Sequence, residues 1–295
     1  MSDPGTILSI GFARPGELVS SVLSIADHFG ERDGFDHWVF VDRARTNSMK
    51  EDRNKATIDV AHLLLEEGVI DRLIVRDENY GTARNVVESV TSVLSDRSHV
   101  FVMEDDLTLA ASHVNASRKL MSFLGRDGVA AYSTYVNRNS STNPLFTSRR
   151  FSSQAWGTAK YLWDDFDLDA VRRHPWSTAL ERETRRLLGS DFPSLWRSFV
   201  AGSLDSWAVP WNMHNFLSGR VCLYPNRSMV NSVGHSQTAT RTAGVFFKHD
   251  ISHEPLELDY EILKPSQFDS YITTYSRAKR AKRQLRSKLA NLAWW

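Results

Sequence analysis

Three consecutive carboxylates, Glu104, Asp105 and Asp106, close an apolar run from Val100 to Met103. Such a run fits a buried parallel strand, and adjacent acids at its end repel one another unless a cation or a set of donors lies among them. In open α/β sheets the ligand crevice lies outside the carboxyl ends of the strands, where these acids would project. The chemistry this permits is capture of Mg2+ or Mn2+ with the phosphates of a sugar nucleotide, because such ions take oxygen ligands from one or two protein carboxylates and from substrate. A solvated acidic turn opening the next helix would give the same tripeptide, since Asp and Glu favour a helix N-terminus.

Further candidates stand at comparable places along the chain. Arg14 follows a first strand, Thr6 to Phe12, in the turn Ala13-Arg14-Pro15-Gly16, and Asp42 with Arg43 closes a second strand, Asp36 to Val41. Arg84 and Asn85 fall in the first turn of a helix that follows the turn Asn79 to Gly81. A cation there opposes the helix dipole, so Arg84 either reaches into solvent or serves a bound anion. Asp205 is the lone acid of FVAGSLDSWAVPW, Phe199 to Trp211, a stretch expected to be helical. Partly desolvated beside Trp207, its carboxyl would have a raised pKa and suit a general base, although a helix-surface Asp would look identical. His235, in the polar loop VNSVGHSQTATRT, is a ligand, a base or an ordinary loop residue. Asp164, Asp165 and Asp167 alternate with aromatics and read as the solvated face of an aromatic core element.

The elements that must position these groups follow from hydrophobic periodicity. Helices are expected over Glu17 to Phe29, ending at Gly30, over Lys50 to Glu67, stopped by Gly68, and over Ser112 to Leu124; further strands are expected over Ile70 to Val75, Gly128 to Tyr132 and Gly219 to Val230, the last with a turn at Pro225-Asn226. The β-α-β-α-β alternation predicts an α/β fold. Asn137 to Asn143 is a polar linker or loop, and the Trp-, Arg- and turn-rich stretch from Leu145 to Arg241 reads as a second subregion built against the sheet.

Composition narrows the classes. With 295 residues, 41% hydrophobic and 24% charged, the chain supports one large domain or two small ones, and its net charge of +1 gives no overall pull toward nucleic acid. Cys222 is the only cysteine, which excludes an intramolecular disulfide and favours a reducing, cytoplasmic setting. No signal-peptide pattern opens the chain and no window approaches ~18 continuous apolar residues, so the expectation is a protein neither exported nor membrane-spanning. The stretch 277–295, RAKRAKRQLRSKLANLAWW, combines seven Lys and Arg with Leu285, Leu289, Leu292, Trp294 and Trp295. A basic amphipathic helix of this kind suits an anionic bilayer surface, with nucleic acid or a solvated tail as the competing readings; no DNA- or RNA-reading motif accompanies it.

In order along the chain, GFARPGEL, DENYGTARN, VFVMEDDL, QAWGTAKYLWDDFD, SLDSWAV and LYPNRSMVNSVG resemble bacterial GT-A glycosyltransferases related to the animal N-acetylglucosaminyltransferase I that initiates complex N-glycans. The resemblance covers roughly residues 6 to 241. It implies a GT-A, Rossmann-like fold with a mixed, mainly parallel central sheet flanked by helices and a smaller acceptor-side subregion. The halves would be 1–135 for the nucleotide-sugar and 136–245 for the acceptor, with 246–295 as a C-terminal extension carrying the basic helix. It also implies inverting, Mn2+- or Mg2+-dependent transfer from a nucleotide-sugar, a UDP-sugar first among them, to a saccharide or lipid-linked saccharide in bacterial surface polysaccharide synthesis.

Carried over by position, Asp106 would hold the metal, Asp105 would face the ribose or sugar, and Glu104 would orient its neighbours. Arg14 and Asp42 match positions that grip the nucleoside. Ala83-Arg84-Asn85 stands where the animal enzyme has A-R-H, so Asn85 replaces a nucleotide-contacting His. Asp205 falls in the segment bearing the base, with one acid before the Trp instead of two. In GHSQTATRT, Arg241 stands where a His is usual and Ser236 where an Asp is usual. The physical demands agree with this division: the leaving diphosphate needs its charge neutralised, and the acceptor hydroxyl needs a carboxylate to take its proton. A nucleotidyltransferase-like enzyme would share the metal and the strand-end acids but would need a Gly-rich phosphate loop, for which Arg14-Pro15-Gly16 is poor. A non-catalytic carbohydrate- or membrane-binding module is the third reading, permitted by nine Trp residues. The expected location is the inner face of the cytoplasmic membrane, held peripherally through 277–295.

Overall fold

The computed structural model describes residues 5–28, 35–110, 113–136 and 144–232. In chain order the elements are β1 (Thr6–Gly11), α1 (Pro15–His28), β2 (Asp36–Val41), α2 (Glu51–Glu66), β3 (Arg72–Val75), α3 (Gly81–Asp96), β4 (His99–Glu104), β5 (Leu107–Leu109), α4 (His113–Met121) and β6 (Val129–Ser133). There follow β7 (Leu145–Ser148), β8 (Trp156–Ala159), α5 (Lys160–Trp163), α6 (Leu168–Arg172), α7 (Thr178–Leu187), α8 (Phe192–Val200), α9 (Ala208–Leu217), β9 (Val221–Pro225) and β10 (Val230–Ser232).

Eight strands form one sheet in the order β3-β2-β1-β4-β8-β6-β9-β7. Strands β1 to β4 pair in parallel, β8 runs antiparallel to both β4 and β6, and β6 pairs in parallel with β9. Antiparallel β7 forms the edge beside β9, so six of the eight strands share one direction. This is the α/β fold that the strand-helix alternation predicts, with the mixed, mainly parallel, helix-flanked sheet that the resemblance implies. A small β5-β10 ribbon lies apart from it.

The central strands are apolar along their length because both faces are covered. On β1 and β4, Ile7, Phe101 and Met103 enter one core cluster, whereas Leu8, Val100 and Val102 enter another. The second cluster is dominated by Trp156, Trp163, Trp207 and Trp211. Trp156 stacks on Trp207 at a centroid distance of 4.7 Å, with Phe151 edge-on at 5.1 Å. Side chains of α6, α8 and α9 build a separate cluster around Trp196 and Phe199. Strands β7, β8 and β9 of the stretch from Leu145 belong to the main sheet.

One expected helix is not continuous. Across Phe199 to Trp211, α8 ends at Val200, Gly202 takes φ +72, and α9 starts only at Ala208. Glycine at positive φ is a usual helix stop, with its N–H here donating to Phe199 O at 3.0 Å. Asp205 therefore lies in a loop, not on a helix, and it is exposed. The linker 137–143 and the whole stretch 233–295, with His235, Ser236, Arg241 and the basic tail, lie outside the described residues. No described helix is long and apolar enough to cross a membrane.

Candidate active site at the carboxyl edge of the sheet

Strands β1 and β4 are neighbours, which brings the turn after β1 against the acids after β4. Arg14 precedes α1, its carbonyl accepting from Leu18 N–H at 3.0 Å, with Pro15 at the first helical position. From there Arg14 Nη1 reaches Asp105 Oδ1 at 3.2 Å and Asp106 Oδ2 at 2.8 Å. Burial pushes the Asp105 carboxyl up to about 7 against the pull of Arg14, and the charge of Asp106 adds to the rise. Burial lowers the pKa of Arg14, but the two aspartates outweigh it and hold the guanidinium above its ordinary range. Arg14 thus keeps its charge, and Asp105 is the partner that takes a proton. Glu104 is half-buried at the end of β4.

The next two strand ends are tied together by Asp42. Its Oδ1 accepts from the N–H groups of Arg43 (3.0 Å) and Tyr80 (2.9 Å), and its Oδ2 from Gly81 N–H (3.0 Å) and Asn79 Nδ2 (3.3 Å). Burial raises its pKa, opposed by these backbone donors. The residue expected to grip a nucleoside is thus engaged in shaping the turn that leads into α3. Asn54 of α2 supports the same edge, donating to Phe12 O (2.5 Å) and Asp42 O (2.7 Å) and accepting from Ala44 N–H (2.9 Å). Sequence reasoning missed Asn54; an Asn inside an otherwise regular helix was the available signal.

Arg84 and Asn85 diverge, as neighbours on a helix must. Arg84 is solvent-facing, bonded to Glu88 (2.7 Å) and Glu78 (3.1 Å) and lying 3.6 Å from the Tyr80 ring centroid. Asn85 is buried and its Oδ1 accepts from Arg76 Nε at 2.9 Å. It acts on the edge through Arg76, which also bonds Ser89 Oγ (2.8 Å) and lies 4.8 Å from the Tyr80 ring centroid. Arg76 was not singled out in the sequence, although it follows β3 as Arg14 follows β1.

Asp205 reaches back across the molecule to the start of α3. Its Oδ2 accepts from Thr82 N–H at 2.6 Å and its Oδ1 from Ala83 N–H at 2.9 Å. A Cβ on Gly81, whose φ is +75, would lie 2.8 Å from Asp205 Oδ2. The carboxylate therefore caps a helix from another segment, and the expected desolvation beside Trp207 is not found: Trp207 is buried while Asp205 is exposed. Further along, Asp165 forms a two-bonded pair with Arg220 (2.7 and 3.1 Å) beside His214 (3.3 Å), and Asp167 caps α6, as expected for a solvated acidic face.

Whether these residues suit a divalent cation turns on Asp106. Its Oδ1 is buried with no hydrogen-bond partner among the described residues, an uncompensated acceptor that a cation would satisfy. No group of three or more His, Cys, Asp or Glu side chains set to hold a metal occurs among the described residues. A Mg2+ or Mn2+ site completed by substrate phosphates needs only one or two carboxylates, so Asp106, with Asp105 beside it, fits that kind of site.

Neither a protein-family model nor a curated protein matches the sequence. Solved structures give distant likenesses. The mannosyltransferase PcManGT from Pyrobaculum calidifontis, in complex with GDP-Man and Mn2+, is 12% identical over 74% of each chain with a TM-score of 0.42. TarS 1-349 from S. aureus is 7% identical, covering 78% of this chain and 60% of that one, with a TM-score of 0.46. The galactosyltransferase LgtC, in complex with donor and acceptor sugar analogues, is 10% identical over 71% of this chain and 70% of that one, with a TM-score of 0.39.

Proposed function

We propose that the chain is a GT-A glycosyltransferase that moves a sugar from a nucleotide-sugar to a saccharide or lipid-linked saccharide, with a divalent metal at Asp106. The observation that carries this reading is the convergence of Arg14, Asp105 and Asp106 at the carboxyl edge of the sheet, with Asp106 Oδ1 buried and unsatisfied. Bound there, Mn2+ or Mg2+ would neutralise charge on the leaving diphosphate. Arg14 orients the two carboxylates and offsets their repulsion. Asp42 and Asn85 act as positioning residues: the first fixes the 79–81 turn, the second fixes Arg76, and together they define the wall on which a nucleoside would rest.

Asp205 is the proposed base for the acceptor hydroxyl, in a single displacement that inverts the sugar. A carboxylate offers about four acceptor positions, so capping α3 and receiving a proton are compatible duties. A UDP-sugar donor, a bacterial surface polysaccharide as product, and peripheral attachment to the inner face of the cytoplasmic membrane through 277–295 complete the reading; these rest on the sequence resemblance and the basic tail. The test is donor binding by Asp106→Ala. The folded variant should lose Mn2+-dependent nucleotide-sugar affinity, because a ligand carboxylate at a strand end serves the ligand more than the core. Unchanged affinity removes the metal assignment.

A further inference from the structure

The segment from Arg150 to Ala155 leads into β8 at the same edge, and many of its main-chain groups are tied down. Phe151 N–H donates to Asn212 Oδ1 (2.8 Å) and Phe151 O accepts from Asn212 Nδ2 (3.3 Å). Ser152 N–H donates to Tyr224 Oη (2.7 Å), which itself donates to Arg150 O (2.7 Å). Gln154 O accepts from Ser133 Oγ (2.9 Å), and Ala155 O accepts from Thr134 N–H (2.9 Å). Ala155 is fully buried at φ +46, a left-handed conformation that is strained for an alanine and persists only where the surroundings impose it.

Val102 pairs with Trp156 at the end of the antiparallel β4-β8 ladder, so Gln154, two residues before Trp156, lies just outside β8 on the side where β4 runs on to Glu104. Gln154 is half-buried, and among the described residues its hydrogen bonds run through its main chain, with Ser152 Oγ and Ser133 Oγ. This segment thus carries a side-chain amide, with one acceptor and two donors uncommitted to any described residue, at the edge of the sheet where β4 ends in the acid triplet.

We propose that Gln154 is a specificity-determining residue that hydrogen-bonds a hydroxyl or acetamido group of the transferred sugar. The inference rests on the glycosyltransferase reading. An amide is suited to such groups because it matches both their donors and their acceptors. Its placement on a preorganised segment lets discrimination occur without ordering a loop.

The test compares each nucleotide with its sugar conjugates by calorimetry in Mn2+: UDP against UDP-glucose, UDP-galactose and UDP-N-acetylglucosamine, and GDP against GDP-mannose. For the conjugate bound best by the wild type, Gln154→Ala and the near-isosteric Gln154→Met should each lose about 5-fold or more of the affinity gained from the sugar, with the bare nucleotide unaffected. Both side chains are tolerable at a half-buried position, and a circular-dichroism melt confirms folding. The proposal is overturned if both variants keep the sugar's contribution, if Gln154→Met keeps it while Gln154→Ala does not, which would make the contact one of bulk, or if bare nucleotide affinity falls equally. Failure of the wild type to bind any nucleotide overturns the glycosyltransferase reading itself and Gln154's role with it. Nucleotide binding with no gain from any sugar overturns the Gln154 role alone.

Discussion

Asp105 retains its proton to about pH 7 when folded, against 3.8 ordinarily, chiefly because it is buried. Between those values the folded chain holds a proton that the unfolded chain has released, so stability is greatest at the acid end and falls as pH rises through the window. The loss is at most about 4 kcal/mol, at 1.36 kcal/mol per pK unit. Urea unfolding at pH 5 and pH 8 should show the wild type losing stability relative to Asp105→Asn; parallel behaviour contradicts the assignment. Because a metal prefers the ionised carboxylate, Mn2+ affinity should rise between pH 6 and pH 8. At Asp205, substitution by Asn keeps the shape but not the basicity. Transfer should fall at least ~10²-fold with donor affinity little changed, beside a small stability loss because the amide oxygen can take only part of the two-oxygen contact with Thr82 and Ala83 N–H. A rate that falls only in proportion to the folded fraction would leave Asp205 a helix cap and no base.

At the level of elements, the strands that carry Arg14, Asp42 and the acid triplet were legible because burial on both faces writes itself as an unbroken apolar run. Strand β8 was only half legible. Its four residues include Gly157, required because a Cβ there would lie 2.4 Å from the Tyr132 ring, and so short a run carries little periodic signal. The region 199–211 misled for the opposite reason: Leu204, Trp207 and Trp211 are spaced as one helix would space them, yet Gly202 at positive φ ends α8 and α9 starts only at Ala208. Nothing local announces that a loop carboxylate will cap a helix more than a hundred residues away. That contact yields its own prediction. Gly81→Ala puts a Cβ 2.8 Å from Asp205 Oδ2 at a φ of +75, and should cost about 1–2 kcal/mol in chemical denaturation. Full stability in the variant would contradict the tight seating of Asp205 on α3.

For the whole molecule, the sheet joins β1 to β4 to the Trp-rich half through β8, so the acids, the Asp42 turn and Gln154 share one edge. The convergence of Arg14 on Asp105 and Asp106 could be anticipated only as strand ends at one side of a sheet; which strands are neighbours is a matter of long-range pairing. The membrane expectation lies outside the described residues and stands on the tail's composition. Basic residues near an anionic leaflet contribute about 1 kcal/mol each before salt screening, so binding to phosphatidylserine vesicles should weaken steeply with salt and nearly vanish when the chain ends at Ser276. Equal sedimentation of both forms with such vesicles contradicts it.

The most direct measurement is a calorimetric titration of the full chain with UDP-, GDP- and dTDP-sugars, with and without Mn2+, repeated on folded Asp106→Ala. The account predicts saturable binding of at least one nucleotide-sugar that requires Mn2+ and disappears in the variant. Binding that ignores Mn2+ and survives Asp106→Ala, or no binding of any nucleotide-sugar, would contradict it.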